Sequence, residues 1–186
     1  LLNTVLGSFS SGVAASTSSY ESIATGTGTG LSATISFTSI PSTYKHLQIR
    51  GIAKDTFANS NVFGMYVTFN SDTGSNYASH RLGGDGASTY ANGYATQTSI
   101  ELRSYSVGNS ATNIMGVSIM DVIDYASTSK YKTLRSAGGV DKNGSGNIEL
   151  CSGLWQNTAA ITRIDLVTSG TLWSSSTTFA LYGIKG

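Results

Sequence analysis

The 186-residue chain has one proline, one cysteine, two histidines and few charges. A single cysteine, Cys151, excludes an intrachain disulfide, so the chain is not a disulfide-stapled secreted scaffold. Charged residues make up 11% of the chain, against about 25% in an average soluble protein. The net charge is +1 and the basic residues are scattered, which argues against a nucleic-acid partner. No apolar run approaches the ~18 residues of a membrane span, so no membrane is expected either. Hydrophobic residues still reach 39%, enough for a core and too many for a disordered chain. Ser, Thr, Asn and 22 glycines supply the missing polarity.

The opening "LLNTVLGSFSSGVAAS" begins apolar and ends rich in Ala and Ser, like part of a signal peptide. No Lys or Arg precedes Lys45, so the basic start of such a peptide is missing. Residues 1–18 read as an extended arm, and a first residue other than Met suggests either processing or an earlier start. Residues 19–186 read as one domain.

From Tyr20 onward, short β-like runs alternate with turn clusters. In "LSATISFTSI", Ile35 and Phe37 alternate with polar neighbours, as in a half-buried strand. Pro41 cannot donate to a ladder and biases Ile40 toward extended geometry, which marks the corner "PSTY" before "HLQIRGIA". There Leu47, Ile49, Gly51 and Ala53 take one face, while His46, Gln48, Arg50 and Lys54 take the other. Ile52 breaks the polar face. "NVFGMYVTFN" has the clearest alternation, through Phe63, Met65, Val67 and Phe69. Residues 77–97 are rich in glycine and predict a long loop. "KYKTLR" predicts an exposed strand edge, and "VIDYASTSKY" at most one helical turn. About ten strands with turn signals and no long amphipathic stripe predict an all-β fold. It is expected to be an antiparallel β-sandwich, jelly-roll-like, with the arm extended from it.

Candidate chemistry is thin. "DTGS", from Asp72 to Ser75, matches the aspartic-protease signature. The residues before it, Asn70 and Ser71, are polar where that chemistry needs apolar anchoring, so a hairpin turn is the reading. In "DKNGSGNIEL", Asp141, Asn143, Ser145, Gly146 and Ile148 fit the front of an EF-hand loop. The twelfth position is Ser152 where a bidentate Glu belongs, and the flanks are strand-like, so a β-turn between two strands is the favoured reading. "GTGTG" lacks the helix and lysine of a phosphate loop. His46 and His80 lack the spacing of zinc ligands, and no nucleophile elbow occurs. Trp155, Trp173 and the ten tyrosines suit core packing better than glycan stacking. No catalytic, cofactor-binding or metal site is expected, and the protein is not read as an enzyme.

Several segments together carry a resemblance: "YESIAT", "SIPSTYKHLQIRGIA", "FNSDTGSNYASHRLGGDG", "DVIDYASTSKYKT", "GGVDKNGSGNIELCSGLW" and the terminal "FALYGIKG". In this order, over residues 19–186, they resemble a family of small virion structural proteins of tailed bacteriophages. "FALYGIKG" is the most specific of them. The resemblance implies a capsid decoration or cement protein that binds and stabilises the head lattice. The alternative is a tail-fibre or adhesion module contacting host glycan. It implies no catalytic residue. Its expected partners are further copies of the chain, as a homotrimer, and the major capsid protein or other virion proteins, at the capsid surface. In that setting Leu1, Leu2, Val5, Leu6, Phe9 and Val13 are the candidate assembly contacts. Their burial would offset the entropy of ordering the arm.

Overall fold

The computed structural model describes residues 18–186. The candidate assembly contacts Leu1, Leu2, Val5, Leu6, Phe9 and Val13 lie outside the described residues, as does nearly all of the expected arm.

Among the described residues twelve strands form. The first four are β1 (Tyr20–Thr27), β2 (Thr34–Phe37), β3 (His46–Ala53) and β4 (Val62–Phe69). Next come β5 (Tyr77–Gly84), β6 (Thr89–Gln97), β7 (Ile100–Val107) and β8 (Gly116–Ile123). The last are β9 (Lys132–Asp141), β10 (Gly146–Trp155), β11 (Ile164–Thr168) and β12 (Thr178–Ile184). Among the described residues there is no helix, and hence none able to cross a membrane.

The strands build two antiparallel sheets, the sandwich that the alternating pattern predicts. The larger sheet has eight strands in the order β1-β12-β3-β8-β9-β10-β5-β6, and the smaller has four in the order β2-β11-β4-β7. Twelve strands divided eight to four exceed the eight strands of a jelly roll. The inner faces share one core, which includes Leu47, Ile49, Met65, Val67, Phe69, Ile100, Met120, Trp155, Trp173 and Phe179. Strand β7 packs across β8, β9 and β10 and also meets β5, so β6 extends the larger sheet past the edge of the smaller one. Close approach there requires glycine. A Cβ on Gly138 would sit 2.4 Å from the Tyr105 ring, and one on Gly153 would sit 2.5 Å from Ile100.

The lone proline sits where the chain leaves the smaller sheet, between β2 and β3. Its carbonyl accepts the hydroxyl of buried Tyr125, and Ile40 N–H donates to Thr162 O, so both sides of the corner are tied down.

Two expectations are corrected. Residues 77–97 are not a long loop but the hairpin β5–β6, which also extends the count beyond ten strands. "KYKTLR" is not an exposed edge, because β9 lies inside the sheet between β8 and β10. Lys132 is fully buried there and donates its Nζ to the carbonyls of Lys130 and Thr158, which satisfies the ammonium without a counter-ion.

Candidate functional site

The motifs weighed in the sequence resolve into turns. Asp72 N–H donates to Phe69 O across Asn70 and Ser71, both at positive φ, in a type I′ arrangement. The Asp72 carboxylate accepts from Gly74 N, Asn76 Nδ2 and Trp155 Nε1, each at 2.8 Å. These bonds hold it below the usual carboxylate range, with Asn76 the largest contributor. It is a structural anchor with three donors. Lys142 N–H donates to Ser145 O across Asn143 and Gly144, again both at positive φ, so the EF-hand-like segment is a tight β9–β10 hairpin. Asp141 Oδ1 accepts the Asn143 N–H, while Ile148 and Ser152 lie along β10. His46 Nδ1 accepts the Asp124 N–H, and His80 faces outward from β5. Trp155 and Trp173 are both buried in the core. No three metal-ligating side chains cluster among the described residues.

What the structure assembles instead is a surface. Over part of β5, β8 and β10 the usual alternation is inverted: Arg81, Ser118 and Glu149 face inward, while Leu82, Val117, Ile119, Ile148 and Leu150 face outward. Strand register aligns these outward residues in two rows. One runs Ile52, Val117, Gly139, Ile148, Gly84. The other runs Arg50, Ile119, Ala137, Leu150, Leu82, Ala91. Ile148 is 68% exposed, Leu82 56%, Leu150 55% and Val117 53%, so no loop among the described residues covers the rows. Gly139 and Gly84 flank Ile148 without side chains, so Ile148 stands as a ridge beside a depression of about 960 Å³. A polar row of Gln48, Asp121, Arg135, Ser152 and His80 borders the patch. Aliphatic exposure of this extent is uncommon on monomers and marks interaction surfaces.

The inverted strands place charge inside, where β5 and β10 meet the edge strand β7. Glu149 is fully buried. Its Oε1 accepts Arg103 N–H at 2.7 Å and its Oε2 accepts the Tyr90 hydroxyl at 2.8 Å. Burial raises its pKa, against the pull of those two donors. Arg81, also buried, brings Nη1 to 3.1 Å from Glu101 Oε1 and lays its guanidinium 4.6 Å from the centre of the Tyr94 ring. Burial is the largest single influence and works to lower its pKa, but Glu101, Tyr94 and Glu149 together outweigh it and the net shift is upward. Nη1 makes this ion pair without hydrogen-bond geometry, and Nε has no partner. Sequence reading missed this cluster because its members come from β5, β6, β7 and β10. The available signal was a Glu at the inward position between Ile148 and Leu150. Glu149 is wholly enclosed and cannot reach a substrate, so Glu149 and Glu101 do not make a working pair of catalytic carboxylates.

No protein-family model, no curated protein and no solved structure matches this chain.

Proposed function

We propose that this protein is a structural component of a tailed-bacteriophage virion that binds and stabilises the head lattice as a decoration or cement protein. The observation that carries the reading is the outward aliphatic face of the eight-stranded sheet. Strands about 4.8 Å apart and outward residues about 6.6 Å apart along each strand give the two rows, from β3 to β6, a patch of roughly 24 by 13 Å. The bordering polar row and the rest of the sheet face supply the remainder of the ~800 Å² each partner contributes to a stable interface. Burying a Val, Leu or Ile side chain fully is worth about 1.5–3 kcal/mol. Ile148, Leu150, Leu82 and Val117 are about half exposed, so docking recovers roughly half of that from each. A protein that binds only the assembled lattice stabilises it by mass action. The segment resemblance described above supports the same assignment.

Copy number per virion is the test. Quantitative mass spectrometry of purified virions should find copies on the order of hundreds, as symmetric decoration of a shell requires. A few dozen copies would assign the protein to tail fibres, the second reading, and absence from virions would remove both. Sedimentation of the isolated protein reads whether copies form the expected homotrimer.

A further inference from the structure

A second surface feature lies away from the aliphatic face. Where the larger sheet passes beyond β7, a cleft of about 490 Å³ opens over that edge. Its lining includes Tyr66 of β4, Tyr90 of β6, Glu101 and Arg103 of β7, Asn147 of β10 and Ser169. The volume is that of a small-ligand site. We infer that this cleft binds a neutral saccharide, with Tyr66 supplying a ring face and the polar side chains bonding its hydroxyls.

The chemistry points to that class. Glu101 and Arg103 give the lining one carboxylate and one guanidinium, with their nearest atoms 3.7 Å apart. An anion would meet Glu101 and a cation would meet Arg103, so the balanced pair favours an uncharged ligand. Arg81 and Arg103 both approach Glu101 Oε1, at 3.1 and 3.7 Å, and a carboxylate has acceptor sites beyond these two contacts for a ligand hydroxyl. Arg103 and Asn147 bring N–H donors. Ser169 Oγ accepts the Gly64 N–H and keeps its own proton to donate. A ligand with adjacent hydroxyls, each both donor and acceptor, fits this mixture. Tyr66 stands directly opposite Glu101 in the β4–β7 ladder, so an aromatic ring and a carboxylate are neighbours on one face.

The walls are held before any ligand arrives. Glu149 bonds the Tyr90 hydroxyl with one oxygen and the Arg103 backbone N–H with the other, joining β6 to β7 across the floor. Gly83 lets Tyr90 lie against β5, since a Cβ there would fall 2.4 Å from the phenol oxygen. Such fixing lowers the ordering cost of binding. It also gives the buried carboxylate a positioning role. The inference does not depend on where, or whether, the protein sits in a virion.

The test is saturation-transfer NMR and calorimetric titration of the full chain. The probes are D-glucose, D-galactose, L-rhamnose and N-acetyl-D-glucosamine, with their homodisaccharides. At least one should bind. Tyr66→Ala and Glu101→Gln should each weaken that binding by roughly tenfold or more. Asn147→Ala is the companion variant, since it removes an amide without touching the core, and it should weaken binding too. Leu150→Ser, on the aliphatic face, should leave affinity unchanged. If no saccharide binds at roughly 50 mM, a concentration at which Kd values in the millimolar range are visible, the inference falls. It also falls if binding persists unchanged in folded Glu101→Gln and Asn147→Ala proteins.

Discussion

The indole Nε1–H of Trp155 donates to Asp72 Oδ2 at 2.8 Å, so the turn after β4 is fastened to the last residue of β10. Trp155 also stacks on Tyr77 at 6.3 Å between ring centres and meets Phe69 at 5.6 Å. The Tyr77 hydroxyl donates to Asp72 O at 3.0 Å. One short turn therefore organises the aromatic end of the core. Asp72→Ala strands the buried indole donor and releases Gly74 and Asn76. It should destabilise the protein by about 1–3 kcal/mol in urea unfolding. Asp72→Asn, which keeps an acceptor, should cost less.

Acid should weaken the fold in a defined window. Asp124 is pulled down to about 2, chiefly by its hydrogen bonds to Lys130 and Lys45, and Asp72 is lowered as well. Folded-state values below the unfolded ones mean that the unfolded chain binds more protons, so stability rises with pH. The contribution is complete above about 4, the usual Asp range, and is lost as pH falls toward the folded values. The Tm should therefore drop between about pH 4 and pH 2. Asp124→Asn should flatten part of that drop while following the wild-type trend above it.

Packing between the sheets should tolerate no added methyl at two glycines. Gly138→Ala drives a Cβ against the Tyr105 ring, whose hydroxyl is already tied to Ser136 Oγ at 2.8 Å. Gly153→Ala does the same against Ile100. Each should cost about 1–3 kcal/mol by overpacking, read as a shifted urea midpoint with an unchanged slope.

Cys151 should be silent in the native protein. Burial pushes its thiol up to about 12, so the thiolate that reacts is scarce at neutral pH. Ellman's reagent at pH 8 should titrate no thiol until denaturant is added, and then one. Rapid labelling of the folded protein would contradict the burial of this side chain.

The strands that obey the ordinary alternation were legible from the residues alone. Met65, Val67 and Phe69 of β4 are buried, as are Leu47, Ile49 and Ala53 of β3. The Pro41 corner and the Asn143-Gly144 turn were legible too, because proline and positive-φ residues act locally. What escaped was governed by inversion. Tyr77, Ser79 and Arg81 face inward on β5 while Leu82 faces out, and glycines at 83, 84 and 93 dilute any pattern, so a hairpin reads as a loop. A periodicity argument assumes that aliphatic residues point to the core. Where Glu149 is buried between exposed Ile148 and Leu150, that assumption selects the wrong face. The aliphatic patch and the charged cluster beneath it are two sides of the same inverted strands, so missing one meant missing the other.

The outward aliphatic face as a lattice-binding surface is the central claim, and binding to heads purified without this protein tests it most directly. Wild-type protein should saturate such heads. A Leu82→Ser, Ile148→Ser, Leu150→Ser triple variant with unchanged Tm should lose roughly fortyfold or more in affinity, the sum expected of three partly exposed side chains that docking would bury. Equal binding by the folded triple variant would contradict the account.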